Sequence, residues 1–222
     1  EINSNEVLSN INLSSLQNSG DLYINNNSAL TNLDLSSLQS SQSLSISSNF
    51  PLTSIDLSAL QNVENHLNIS YNSALTNLDL SALQNVDELS IGNNSSLTNL
   101  DLSALQNIED DLYINNNSAL TNLDLSALQN VDDQLYIGNN SSLTNLDLSY
   151  LQSFIFLYIE SNALPSSEIN EILSMLVGLS SSFWDNYYEC IVLGQNPSAP
   201  PTGQGITDLN TLQNMGVCIN TD

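Results

Sequence analysis

A near-identical unit recurs along most of this chain, opened by Leu8, Leu30, Leu52, Leu75, Leu97, Leu120 and Leu143 at intervals of 22 or 23 residues. A period of that length marks a stacked repeat, because one unit is too small to bury its own apolar side chains and needs its neighbours. The copy from Leu97 to Ala119 reads LTNLDLSALQNIEDDLYINNNSA. Leu100 and Leu102 flank Asp101 in its first half, and Leu112 and Ile114 flank Tyr113 in its second. Period-two alternation predicts two short strands per unit with their apolar side chains inward. Successive coils then build parallel sheets with strands about 4.8 Å apart. The reading is a mainly β, right-handed solenoid with two parallel sheets. Seven coils span residues 1–163, and a C-terminal cap with a helix spans 164–222.

The second strand repeats the frame Val86-x-x-Leu89-x-Ile91-x-x-Asn94-x-x-Leu97, which resembles the leucine-rich-repeat consensus. The short unit with its additional strand, LTNLDLS, is more similar to receptor L-domain relatives and bacterial surface repeat proteins than to the long helical members. The tail GQNPSAPPTGQGITDLNTLQNMGVCINTD resembles the ends of repeat proteins exported by marine Bacteroidetes-type bacteria. The resemblance implies extracellular recognition or adhesion by a protein that is secreted or displayed at the cell surface. One column is unbroken through the coils: Asn27, Asn49, Asn72, Asn94, Asn117, Asn140 and Asn162. A side-chain amide is both donor and acceptor, so this column is expected to be a buried ladder satisfying backbone groups at a corner.

The two ends differ. Pro165 and Ser166–Ser167 open a segment with Ile169, Ile172, Leu173 and Leu176 at helical spacing, and Gly178 can close it. That helix is a lid for the last coil, with Phe183, Trp184, Tyr187 and Tyr188 completing it. Cys190 and Cys218 lie outside the repeats, and their even count favours a disulfide over two buried free thiols. Only Glu1–Val7 precedes the first coil. Ser19 and Ser41 there replace the apolar residues Val63, Val86, Ile108, Val131 and Phe154 of later coils, so the N-terminal end is expected to be weaker and to favour self-association.

Composition narrows the partners. With no Lys, no Arg and a formal net charge of −24, the chain has nothing to neutralise phosphates, which excludes nucleic acid and anionic membrane surfaces. No segment approaches the roughly 18 apolar residues of a membrane span. The chain reads as a mature product without its export signal, or as part of a longer one.

Stacking turns each repeat position into a column. Asp34, Asp56, Asp79, Asp101, Asp124 and Asp147 point outward from the first strand. They form either a solvated stripe or, at Asp79, Asp101 and Asp124, ligands for Ca²⁺. No cofactor is required. A second acidic column, Glu64, Asp87, Glu109 and Asp132, is joined by Asp110, Asp111 and Asp133 into a denser cluster for the same cation. On the second strand Tyr23, Tyr113, Tyr136 and Tyr158 are candidate ligand contacts for an extracellular protein or glycan, interrupted by Ser45, Asn68 and Ser90. Cross-strand packing on a surface sheet is the plainer alternative. Ser43, His66 and Glu88 follow one another in consecutive coils in triad order, but an open sheet offers no evident oxyanion hole. Asn26, Asn93, Asn116 and Asn139 start Asn-x-Ser sequons beside the ladder and are candidate glycosylation sites. The expected function is non-enzymatic recognition through a sheet face. A subunit that assembles into an extracellular fibre is the alternative, and a hydrolase using Ser43, His66 and Glu88 a remote one. A flat Thr/Asp/Ser array also permits ice or mineral binding.

Overall fold

The computed structural model describes residues 1–184 and 189–222 and is a parallel β-solenoid of about seven turns. The second strands, among them Asn18–Asn25, Ser40–Ser47, Asn62–Ser70 and Asn85–Gly92, stack in parallel into one large sheet. The first strands are three residues long. Those from Asn10–Asn12 to Asn99–Asp101 form a second parallel sheet, and Asn122–Asp124 pairs separately with Asn145–Asp147. Leu, Ile and Val at alternate positions of both strands meet in one continuous core. Each coil closes on core side chains from its neighbours, as the spacing predicts.

The Asn column is buried, and its bonds are regular. The backbone N–H of Asn27, Asn49, Asn72, Asn94, Asn117 and Asn140 each donates to Oδ1 of the next ladder Asn at 2.9–3.1 Å. Each Nδ2 from Asn49 to Asn162 reaches back to an isoleucine carbonyl one coil earlier, from Ile24 to Ile137, at 2.8–3.0 Å. A strand that turns a corner leaves such groups unpaired in the core, and the amide supplies both partners at once. The residue before each ladder position has φ between 56° and 60°, namely Asn26, Ser48, Tyr71, Asn93, Asn116, Asn139 and Ser161, and so has Ser4 before Asn5. Asn tolerates this left-handed conformation better than most side chains, which accounts for the Asn-Asn pairs.

The difference between coils of 22 and 23 residues has a single location. Ser41 pairs with Val63 and Leu44 with Leu67, so the third coil carries one more residue between those positions, and the register shifts there. Ile108 to Leu112 and Val131 to Leu135 carry the same extra residue. In those two coils the long strand is interrupted, as Asn107–Ile108 then Leu112–Asn115, and Asn130–Val131 then Gln134–Gly138. Both His66 and the densest acidic residues sit at this bulge.

The inward serines at the N-terminal end satisfy each other. Ser19 and Ser41 hydroxyls lie 2.9 Å apart, and Ser41 reaches the carbonyls of Gly20 and Ser43. Leu8, Leu13, Leu16 and Leu22 are only partly buried against the core. Residues before the first full coil are not idle: Ile2–Asn3 pairs with Ile24–Asn25, and the Asn5 N–H donates to Asn27 Oδ1.

Beyond Ala163, helix α1 (Ser166–Val177) buries Ile169, Ile172, Leu173 and Leu176, as its spacing predicts. Helix α2 (Ser181–Trp184) follows, with the Phe183 ring tilted against Phe154 at 5.0 Å and edge-on to Trp184. Tyr187 and Tyr188 lie outside the described residues. Helix α3 (Gln204–Asn214) packs on α1. The tail also does something its sequence does not announce. Strands Cys190–Val192 and Cys218–Asn220 add to the large sheet after Phe156–Glu160, joined by a Cys190–Cys218 disulfide. The ladder follows them. Gln195 Nε2 donates to the Ile159 carbonyl, and the Gln195 N–H to Asp222 Oδ2.

Helix α1 also closes the short-strand sheet. Glu168 Oε2 accepts the N–H of Leu146, at 3.2 Å, in the role a following strand would fill. Replacing Glu168 by Ala is expected to cost about 1–2 kcal/mol by leaving that donor unpaired. Glu168→Gln keeps an acceptor and should cost less than half as much. Urea denaturation of the two variants checks this, and equal losses would show that the bond contributes nothing.

Candidate functional site

Outward positions of the large sheet line up coil over coil. Tyr23, Ser45, Asn68, Ser90, Tyr113, Tyr136 and Tyr158 are paired in register along a single column. Tyr113 and Tyr136 sit with ring centroids 6.3 Å apart, and Tyr158 stacks on Phe156. The Tyr136 ring lies over Gly138, where a Cβ would collide with it, and its hydroxyl accepts from Asn139 Nδ2. These three tyrosines are therefore packed along the sheet. Tyr23 stands apart from them across the small residues.

That interruption is where the surface becomes concave. A trough of about 710 Å³ is floored by Ser45, Ser47, Asn68, Ser70 and Ser90, within the range of roughly 300–1,000 Å³ usual for ligand sites. Tyr23 borders it, and at the opposite end the Asn115 amide folds over Gly92 in space a Cβ would need. His66 and Glu88 form one wall, with Nδ1 and Oε2 3.6 Å apart. Tyr71, Ser48 and Asn93 contribute from the corner. The floor is held by its own bonds. Ser45 and Ser47 hydroxyls donate to Asn25 Oδ1, and Ser70 Oγ donates to Asn68 Oδ1.

Tyr71 lines the trough from outside the outward column. It holds the left-handed corner position, φ 59°, where the other coils place Asn or Ser. A bulky side chain costs about 1–2 kcal/mol in that conformation, and Tyr71 is 53% exposed, so little burial offsets the strain. The same φ recurs at every corner, and Tyr71 is the one corner residue with a bulky side chain and borders the concavity. The sequence signal was present, as the one aromatic in a column of amides and hydroxyls.

The triad-like line is partly assembled. His66 and Glu88 face each other, while Ser43 is buried and its hydroxyl accepts from Asn65 Nδ2 at 3.4 Å. Asn65 lies in the segment lengthened by the extra residue of that coil.

The acidic columns separate into two kinds. Oδ1 of each of Asp34, Asp56, Asp79, Asp101, Asp124 and Asp147 accepts the backbone N–H of the serine two residues on. Asn12 does the same in the first coil. Serine hydroxyl and amide hydrogen bonds hold the Asp34, Asp79 and Asp124 carboxyls below the usual carboxylate range. The stability they confer is present above about pH 4 and is lost as pH falls below it. The stripe is thus a row of turn-closing groups. Asp110, Asp111 and Asp133 lie elsewhere, at the bulge, with carboxylate oxygens within 4.8 Å of one another. Both oxygens of Asp111 are already engaged, by the Gln134 N–H and the Tyr113 hydroxyl. Burial first, then the charges of Asp111 and Asp110, pushes the Asp133 carboxyl up.

Tyr113 reports on the same corner. Burial, the hydrogen bond to Asp111 and the charges of Asp111, Glu88 and Asp133 push its phenol up to about 12. A folded-state value above the unfolded one, about 10, contributes stability that is complete below that pH and is lost as pH rises toward 12. Alkaline unfolding should be shallower between those values in Tyr113→Phe, followed by circular dichroism against pH. Identical profiles for variant and parent would contradict the assignment.

Among the sequons, Asn26, Asn116 and Asn139 are exposed at their corners, whereas Asn93 is half-buried and borders the trough. Comparison of the chain with profiles of protein families, with characterised proteins and with solved structures finds no match in any of the three.

Proposed function

We propose that this chain is a non-enzymatic recognition or adhesion module of the leucine-rich-repeat kind, placed outside the cell, that takes its ligand in the trough of the large sheet. The observation that carries the reading is the break in the tyrosine column. Three consecutive coils replace an aromatic by Ser45, Asn68 and Ser90, and the concavity lies there. The strained, exposed Tyr71 beside it supports the same place. The Cys190–Cys218 disulfide suits an oxidising compartment, and among the described residues no helix is long and apolar enough to cross a membrane. The recurring frame around Val86, Leu89, Ile91 and Asn94 supports the repeat type.

Two variants test it. Ser90→Tyr fills the trough with the side chain that the next coil already carries at Tyr113, so the fold accommodates it. Tyr71→Asn relieves the corner and should raise stability by about 1 kcal/mol. Arrays of glycans and of secreted proteins probed with the parent should give signals that both variants lose. Signals that persist undiminished in Ser90→Tyr would place binding elsewhere and end the proposal.

A further inference from the structure

We infer that the trough's ligand is an uncharged oligosaccharide, an inference that rests on the trough being the binding site. Its lining is rich in hydroxyls and amides, from Ser45, Ser47, Asn68, Ser70, Ser90 and Asn115, beside Leu44, His66 and Glu88. Hydroxyls and amides both donate and accept, which is the pairing a sugar's neighbouring hydroxyls require. The floor is oriented before any ligand arrives. With Asn68 Oδ1 taken by Ser70, Asn68 Nδ2 has no acceptor among the described residues, and neither the Ser90 hydroxyl nor the Tyr23 and Tyr71 phenols form a side-chain hydrogen bond there. These groups are left to face a ligand. Tyr23 and Tyr71 add rigid amphipathic surface at low entropic cost, suited to the apolar face of a sugar ring.

Charge decides among the ligand classes. The chain has no Lys or Arg and a net charge of −24, so a sulfated or uronic-acid chain would meet repulsion with no counter-charge. A cationic peptide would be drawn by the overall field. Inside the trough, however, it would find one carboxylate, Glu88, already facing His66. The denser acidic groups Asp110, Asp111 and Asp133 are not among the lining residues. A partner protein of the usual kind needs an apolar anchor pocket, and the floor is polar. A neutral polymer of hydroxyls is the class that loses nothing in this field.

Isothermal titration of the full chain with cello-, laminari-, manno- and chito-oligosaccharides tests the inference, with oligogalacturonate, heparin and oligolysine as charged comparators. At least one neutral oligosaccharide should bind, with an affinity unaffected by added salt. Asn68→Ala and Tyr71→Asn should each weaken it by about tenfold, the scale of one hydrogen bond or aromatic contact. Ser90→Tyr should abolish it, and Tyr158→Phe, in the packed part of the column, should leave it unchanged. Circular dichroism confirms that each variant is folded. Absence of binding by all four neutral series overturns the inference. Oligolysine binding that salt removes and Ser90→Tyr blocks would overturn the sugar and leave the trough standing. Binding of any probe that survives Ser90→Tyr undiminished would overturn both.

Discussion

Replacing Asn94 by Ala is expected to destabilise the solenoid by about 2–6 kcal/mol, because it strands two buried backbone groups at about 1–3 kcal/mol each. Asn94 Oδ1 accepts the Asn72 N–H at 3.0 Å, and Asn94 Nδ2 donates to the Ile69 carbonyl at 2.9 Å. Both partners belong to the preceding coil, and Asn94 itself is fully buried, away from bulk solvent. Neither Asp nor Ser should rescue it: ionised Asp has no donor, and a serine hydroxyl is too short to span both contacts. Equilibrium urea denaturation gives the number. A loss below about 0.5 kcal/mol would mean that the corner is hydrated and the column is not a ladder.

Removing the disulfide, as Cys190→Ser with Cys218→Ser, is expected to cost about 3–4 kcal/mol on the chain-entropy account of a loop of this size. The cysteines are 28 positions apart and directly opposite one another on paired strands. The loop they close holds α3 and the segment carrying Gln195. Loss should be local first. Freeing Cys218–Asn220 also frees Asp222, whose Oδ2 accepts the N–H groups of Gln195 and Ala199. Melting with and without reductant measures the effect, and an unchanged transition would show that the tail is held without the bridge.

Period and alternation made the coils legible. Leu100 and Leu102 read inward from sequence and are inward, and the ladder from Asn27 to Asn162 is buried along its whole length. The helix at Ile169, Ile172, Leu173 and Leu176 and the Cys190–Cys218 bond were legible for the same reason, since spacing and parity are local signals. The two further strands in the tail were not. Cys190–Val192 and Cys218–Asn220 are three residues each, separated by a helix, and their ladder positions hold Gln195 and Asp222 in place of Asn. No periodic signal survives that change. The candidate site was legible only as a gap in the tyrosine column. In the outward column Tyr113 lies against Tyr136 and Tyr158 against Phe156, while the concavity borders Tyr23 where the next three coils hold Ser45, Asn68 and Ser90. The sequence marks the bulge at Val63–His66 only as a 23-residue coil and Tyr71 only as the one aromatic of the corner column, and neither signal by itself implies a concavity.

Everything proposed for the sheet face depends on the columns being physical stacks, and residue-resolved hydrogen exchange tests that most directly. The backbone N–H groups of Asn27, Asn49, Asn72, Asn94, Asn117 and Asn140 each donate to a buried side-chain oxygen one coil away. Asn72, Asn94, Asn117 and Asn140 should exchange as one slow set, at the rate of global unfolding, with Asn27 and Asn49 of the weaker N-terminal coils sooner but still far slower than solvated turns. Fast exchange at several of these six amides, at rates typical of solvated turns, would contradict the stacked ladder and the trough built on it.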